Sequence, residues 1–267
     1  KTSWEIWELE LARAETRRQW QRHDYIFGFG GPHTGIPNFL ITYHKVDEPA
    51  DADAYVARIG KLGAALDQYV ERTKLAVADG IRTPKFGYER TATEAKNVIT
   101  GAPFGPGEDS PLFADFKTKI GELKAAGKAT AEQEKAWLDA ASAALTGQVK
   151  PAYERLVAWL ESDMANAPSG KVGALTLPKG ADWYNVALEL QTTTKMTADE
   201  IHELGLKEVA RIHAEIDKIR ETVAFKGDKR AFFDFMRTDK QFYLPNTDEG
   251  RAKYLATAQG YLDVMYK

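Results

Sequence analysis

Histidine and glutamate are the residue types in this chain whose spacing could support metal-assisted hydrolysis. The sequence has five histidines and no cysteine, so histidines and carboxylates would have to supply any zinc ligands. His202 is followed directly by Glu203, but Leu206 occupies the position one helical turn beyond His202. In a helix, His213 would lie about 16 Å from His202, too far to share one metal ion. The pattern therefore predicts no zinc ligand at His202.

Three more histidines lie in or beside a glycine- and proline-rich segment. His23, His33 and His44 could in principle share a metal ion, although each could equally hydrogen-bond to loop backbone. Four glycines and two prolines in residues 27–37 predict a structured loop rather than a helix. Packing does not explain a polar side chain at the middle of that loop. We therefore expect His33 to face a substrate cleft as a hydrogen-bonding or orienting group, not as a metal ligand.

The other patterns that could carry chemistry have structural explanations. The acidic pairs at positions 51/53 and 199/200 sit where helix caps account for them. The glycines of residues 28–31 resemble a phosphate-binding loop, but no strand precedes them and Pro32 removes a backbone donor. The six tryptophans fall mostly at spacing typical of helix packing. The residues alone therefore predict no complete catalytic site.

Helices are predicted to position nearly all of these residues. Apolar side chains recur every three or four positions, as in residues 55–69. Capping-box patterns that open helices occur at Thr91, Thr130 and Thr197. A second glycine- and proline-rich loop, residues 165–180, allows at most a short strand near residues 172–177. The sequence thus predicts an all-α array of about ten helices, forming a single helical region over residues 1–267.

Composition excludes several classes of partner. The net charge of −3 gives no reason to expect binding to nucleic acid or to an anionic membrane. No apolar run approaches the roughly 20 residues that a membrane-spanning helix needs. The lack of cysteine fits a protein of the bacterial envelope.

Several stretches, in order along the chain, resemble a bacterial family known as domain of unknown function 885. They are GGPHTGIP at residues 30–37, DAYVARI at 53–59, GIRTP at 80–84, SPL at 110–112, LPKG at 177–180, Tyr184, TTT at 192–194 and TADEIHELGL at 197–206. The likeness spans nearly the whole chain. Each stretch is weakly specific alone, and the order of all of them carries the resemblance.

The resemblance implies a helical zinc metallopeptidase that is longer than this chain. The family's zinc-binding histidines and catalytic glutamate lie in a His-Glu-x-x-Pro-Gly-His-like stretch, which would follow residue 267 and has no counterpart here. The chain would then be an N-terminal half whose partners are the C-terminal half and a peptide substrate. Zinc would be held by that other half, and this chain alone would be inactive. Gly31, His33 and Tyr184 are the residues that we expect at the substrate cleft.

The resemblance also implies a periplasmic or secreted location, with a lipoprotein anchor upstream as one form. The alternative function is a non-catalytic helical binding or adaptor protein that is complete in itself. Exposed apolar surface separates the two hypotheses, because a half-protein should expose a large apolar face where its other half belongs.

Overall fold

Residues 2–266 are described by a computed structural model, and they form eleven α-helices and no strand. The prediction of an all-α fold is confirmed. The helices are α1 (Thr2–Arg18), α2 (Pro32–Tyr43), α3 (Pro49–Ala78), α4 (Lys85–Val98), α5 (Pro111–Ala125), α6 (Ala131–Ala144), α7 (Lys150–Asp163), α8 (Gly180–Thr192), α9 (Ala198–Thr222), α10 (Lys229–Thr238) and α11 (Asp248–Met265). Within the described residues, no helix is both long and apolar enough to cross a membrane.

The chain divides into two compact units, residues 1–194 and 195–267. In the first unit, α3 is the central helix and contacts α2, α6 and α7. Its buried face carries Tyr55, Ile59 and Leu66, which follow the predicted helical spacing. The core that these residues build with α5 and α7 holds α2 and α4 in place, and α2 and α4 carry the candidate site.

A π-helical turn, Leu145–Val149, joins α6 directly to α7. Leu145 and Val149 are fully buried in this turn, which packs on α3. The approach is close: a Cβ atom added at Gly63 of α3 would lie only 2.5 Å from the Gln148 carbonyl oxygen. Glycine at position 63 therefore allows the wide turn to touch the α3 backbone.

The loop predicted for residues 27–37 is shorter than expected. Pro32 occupies the first turn of α2, and Pro37 lies inside the same helix. Pro32 is compatible with a helix start, because the first amides of a helix have no intrahelical acceptor. The prediction of a loop through residue 37 was wrong, and His33 lies in the first turn of a helix.

Two other local patterns, one that allowed a short strand and one that predicted a helix start, are not realised. The short strand allowed near residues 172–177 is not formed, because a 3₁₀ turn (Ala174–Thr176) satisfies the local backbone with the bonds Thr176 N–Gly173 O and Leu177 N–Ala174 O. Helix α4 begins at Lys85, so Thr91 lies buried inside the helix and opens nothing. Two of the six tryptophans, Trp4 and Trp7 of α1, are exposed and do not pack in a core.

The second unit buries few of its residues. Among residues 195–266, only Phe232 and Gly250 are buried. Phe225, Phe232 and Phe235 form a small aromatic cluster beside α10. One face of α9 carries several isoleucines, and Val223 at its C-cap continues the same face; none of these residues is buried. The second unit thus has a small core and a large uncovered apolar face.

Replacing Thr197 by alanine is expected to lower the stability of the second unit by about 1 kcal/mol. The Thr197 hydroxyl accepts from the Glu200 amide at 3.2 Å, and the Glu200 carboxylate accepts from the Thr197 amide at 2.8 Å. Both contacts confirm the predicted capping box. Thermal unfolding measures the loss, with Thr257→Ala inside α11 as the control. Equal melting temperatures for the Thr197 variant and the wild type would show that the cap contributes nothing.

Candidate functional site

His33 is fully buried where α2 begins. Its exposed fraction is 0%, and its ring lies 5.9 Å from the ring of Phe27, centroid to centroid. The Nε2 atom is 2.9 Å from Oε2 of Glu94 on α4. Because a carboxylate only accepts, Nε2 carries the proton in the neutral ring, which leaves Nδ1 as an acceptor. That Nδ1 atom is buried and has no hydrogen-bond partner among the described residues.

The His33–Glu94 contact continues outward to a cation and an aromatic ring. Arg90 donates from Nε to the other carboxylate oxygen of Glu94 at 2.7 Å. The Arg90 guanidinium also lies 5.2 Å from the centre of the Phe29 ring. A buried imidazole is thereby connected through Glu94 and Arg90 to the surface of the first unit.

The backbone of His33 is held from a different direction. Residue 37 is proline and has no amide hydrogen, so the His33 carbonyl lacks its usual helical donor. The hydroxyl of Tyr153, on α7, donates to this carbonyl instead. Burial raises the pKa of Tyr153 and keeps its hydroxyl protonated. Tyr153 therefore compensates for the donor that Pro37 removes.

The pKa values of His33 and Glu94 are both lowered, the first by burial and the second by its hydrogen bond to His33. Desolvation lowers the pKa of His33, and the nearby Glu94 carboxylate only partly opposes this effect. The pKa of Glu94 is also lowered, chiefly by its hydrogen bond to His33 and further by Arg90. At neutral pH the pair is thus a neutral imidazole that donates to an ionised carboxylate.

Gly31 lies directly before α2 and shapes the surroundings of His33. Its φ angle is 143°, in a region that residues with a side chain rarely adopt. A Cβ atom here would lie 2.6 Å from the Ile26 carbonyl oxygen and 3.2 Å from His33 Nδ1. Gly31 and His33 are therefore brought together, as their positions in the sequence suggest.

Tyr184 lies on α8 and is 38% exposed. Among the contacts of the described residues, none places Tyr184 beside His33 or Gly31. The expectation that these three residues share a substrate cleft stays a prediction, and in this chain the His33 ring faces the interior rather than solvent.

The other histidines have separate partners. His23 donates from Nε2 to the Pro178 carbonyl at 2.8 Å. His44 donates to the Asp51 carbonyl at 3.1 Å and accepts from Arg58 at 2.8 Å. Burial, followed by the charge of Arg58, lowers the pKa of His44. Over residues 2–266, no group of three or more histidine or acidic side chains is placed to hold a metal ion.

An aromatic cavity of about 380 Å³ opens in the first unit. Its lining side chains include His23, Asp24, Tyr25, Phe29, Phe86 and Trp183. The rings of Phe29 and Phe86 are 5.5 Å apart, and His23 stacks on Trp183 at 5.8 Å. The cavity is therefore walled by two aromatic pairs, with a single carboxylate among its lining residues.

Comparison with known proteins identifies the family. A family model described as "bacterial protein of unknown function (DUF885)" matches residues 1–267. The chain belongs to the DUF885 family. The resemblance inferred from the short motifs is thus confirmed, and no curated protein matches this DUF885 chain.

A similar solved structure is "the crystal structure of the putative lipoprotein from Colwellia psychrerythraea". It is 21% identical to the DUF885 chain, with a TM-score of 0.74. The match covers 89% of this chain but 40% of the other one. The likeness shows a shared fold, and the chain spans well under half the length of that relative.

The sequence did not reveal Glu94 and Arg90 as partners of His33. The capping-box pattern at Thr91 assigns Glu94, three residues later, to a helix start instead. The signal that could have found the pair is the four-residue spacing of Arg90 and Glu94, which is typical of a helix ion pair. Nothing local in the sequence connects that pair to His33, which lies 61 residues earlier.

Proposed function

We propose that this DUF885 chain is the scaffold and substrate-cleft portion of a larger hydrolase of the zinc metallopeptidase type, which acts on peptides. The zinc would be held by the remaining part of the protein. The observation that carries the proposal is the uncovered apolar face of the second unit. The difference in length between this chain and the related structure supports it.

The uncovered face lies along α9. Ile212, Ile219 and Val223 are 44%, 54% and 58% exposed, and Ile201 and Ile216 are only half-buried. From Ile201 the next of these residues is eleven positions later, and the following steps are four, three and four residues. Steps of this size return to the same side of an α-helix, so all five residues share one side. Single exposed apolar residues are ordinary, but the run of four on one face from Ile212 to Val223 indicates a surface that another chain segment covers. A complete adaptor protein would not need such a row, so the face favours the larger hydrolase.

The residues of this chain do not themselves fit a zinc site. His202 and Glu203 lie on α9 without a second histidine one turn away. The described residues contain no cluster of histidine and acidic side chains that could hold a metal ion. This chain would have a structural role. It would form part of the cleft wall and would cover an apolar surface on the remaining part of the protein.

Within this proposal, His33 acts through its partners. The buried ring fixes the Glu94 carboxylate, and Glu94 in turn orients Arg90 at the surface. Arg90 would be the group that meets a peptide carbonyl or carboxylate. His33 is therefore a positioning residue in the proposed cleft, and Tyr184 would line it from α8.

We also propose a periplasmic or secreted location. The absence of cysteine from the sequence agrees with an oxidising compartment. The relative from Colwellia psychrerythraea carries the description of a lipoprotein, which is compatible with an anchored form.

The test compares the protein purified from its natural host with the isolated 267-residue chain. We expect the host protein to be much heavier than 29.7 kDa, to hold zinc and to cleave peptides. The isolated chain should bind no zinc stoichiometrically and should leave the same peptides intact. Intact mass spectrometry, metal analysis and a peptide-library digest provide the three measurements. One tightly bound zinc ion on the isolated chain, or a host protein of 29.7 kDa, would contradict the proposal.

A further inference from the structure

We propose that the aromatic cavity of the first unit binds a protonated amine that is attached to an apolar group. Two aromatic pairs wall the cavity, Phe29 with Phe86 and His23 with Trp183. Among the described residues that line it, Asp24 supplies the one carboxylate. This binding site lies within residues 1–194 and does not depend on the proposed hydrolase activity.

The charge of the cavity favours a cation. Asp24 forms no hydrogen bond or ion pair with any described residue, although Arg17 lines the neighbouring cavity that it shares, so its carboxylate is free to pair with a ligand. Aromatic faces carry partial negative charge and attract ammonium groups. The Arg90 guanidinium lies over the Phe29 ring, so this ring already contacts a cation. The positive charge of Arg90 is itself paired with the Glu94 carboxylate. An anionic ligand would meet repulsion from Asp24.

The shape of the cavity favours a compact apolar group beside the ammonium. Gly28 and Gly87 form part of its lining, and a Cβ atom on Gly87 would lie 2.5 Å from Thr83 Cγ2. The Thr83 hydroxyl donates to the Phe27 carbonyl at 2.9 Å, which fixes that side of the cavity. Its volume of about 380 Å³ is at the lower end of the range for small-molecule sites. A phenyl or similarly sized apolar group fits this space.

The experiment measures binding of three ligands of similar size to the full 267-residue chain. They are 2-phenylethylamine, which is a cation at neutral pH, the neutral 2-phenylethanol and the anionic 3-phenylpropionate. Nuclear magnetic resonance titration of the Trp183 indole signal reports on the cavity directly. We expect the amine to bind about fivefold more tightly than the alcohol, and the anion to bind more weakly than either. Equal affinities for amine and alcohol would overturn the proposal.

Two variants test whether the preference for the amine depends on the Asp24 carboxylate. Asp24→Asn should reduce the affinity for the amine to that for the alcohol and leave alcohol binding unchanged. Glu122→Gln on α5 is the matched control, because Glu122 is exposed, forms no ion pair with any described residue and does not line the cavity. It should bind the amine as the wild type does. Unchanged amine binding by the Asp24 variant would refute the assigned role of the carboxylate. The ligand series on the wild-type chain decides the proposal even if that variant does not fold.

The amine could come from a small molecule or from the amino terminus of a peptide. Phe-Gly-amide and its N-acetylated form distinguish the two sources. Tighter binding of the free peptide would assign the site to peptide amino termini. Binding of 2-phenylethylamine without either peptide would assign it to small amines. Failure of all the amines would remove the binding site but leave the proposed hydrolase scaffold untouched.

Discussion

Replacing His33 by alanine is expected to lower the free energy of unfolding of the first unit by about 2–4 kcal/mol. The ring is fully buried, so its removal leaves a cavity against Phe27. Glu94 also loses the donor that Nε2 supplies. Both effects act on α2 and α4, which pack on one another. Chemical denaturation at pH 7.5, followed by near-ultraviolet circular dichroism, measures the loss.

The same variant should change how stability depends on pH. Burial holds the pKa of His33 below its ordinary value of 6.5, so the unfolded chain binds a proton near pH 6.5 and the folded chain does not. The wild type therefore loses stability as the pH falls below about 6.5, by at most about 1.4 kcal/mol per pH unit from this residue. Well above pH 6.5, from about pH 7.5 upward, both states are neutral and the contribution is constant. The stability difference between wild type and His33→Ala should thus shrink between pH 7.5 and pH 5.

Glu94→Gln provides the control for His33→Ala. The glutamine oxygen can still accept from Nε2, so we expect this variant to lose only about 1 kcal/mol. A His33→Ala protein as stable as the wild type would mean that the ring is not packed as described. If a host protein cleaves peptides, its turnover per folded molecule in the His33 variant then tests the positioning role separately from stability.

Replacing Gly31 by alanine should cost about 2–4 kcal/mol. The φ angle of 143° is strained for any residue with a side chain, and the new methyl group would lie 2.6 Å from the Ile26 carbonyl oxygen. It would also press on the His33 ring at Nδ1. Because Ile26 contributes a backbone atom, no side-chain rotation can relieve the contact. Thermal and denaturant unfolding should both show the loss.

Gly35→Ala is the matched control on the same helix. Gly35 is exposed, lies inside α2, and has nothing within 4 Å of an added Cβ atom. Alanine should therefore stabilise the helix, by about 0.5–1 kcal/mol. Opposite signs for the two glycine variants would support the described backbone at Gly31. A stabilised Gly31→Ala protein would show that the backbone there is not in the left-handed region.

Local patterns predicted the helices well but not what joins them. The capping boxes at Thr130 and Thr197 were recognisable because all their hydrogen bonds lie within four residues. The same pattern at Thr91 failed, because α4 had already begun at Lys85 and buried Thr91 in its interior. A local motif does not reveal whether the helix has already begun at an earlier residue.

The start of α2 shows a second reason for failure. Glycine and proline together suggested a loop, yet Pro32 stands where a helix tolerates proline. Pro37 leaves the His33 carbonyl without its helical donor, and Tyr153, more than a hundred residues later, donates to that carbonyl instead. Compensation over that distance is invisible to any reading of neighbouring residues. The aromatic cavity was missed for the same reason, since its walls come from three separate segments of the chain.

The π-helical turn before α7 sets a limit on where this chain can change in length. In an uninterrupted helix, Tyr153 would be rotated by about 120° from Ala141, twelve residues earlier, because each residue turns about 100°. The wider turn of residues 145–149 takes up one additional residue, so the buried faces of α6 and α7 both meet α3. An insertion or deletion of one residue is therefore absorbed most easily at this turn. The same event elsewhere in α6, or in α7 before Tyr153, would rotate Tyr153 away from the His33 carbonyl.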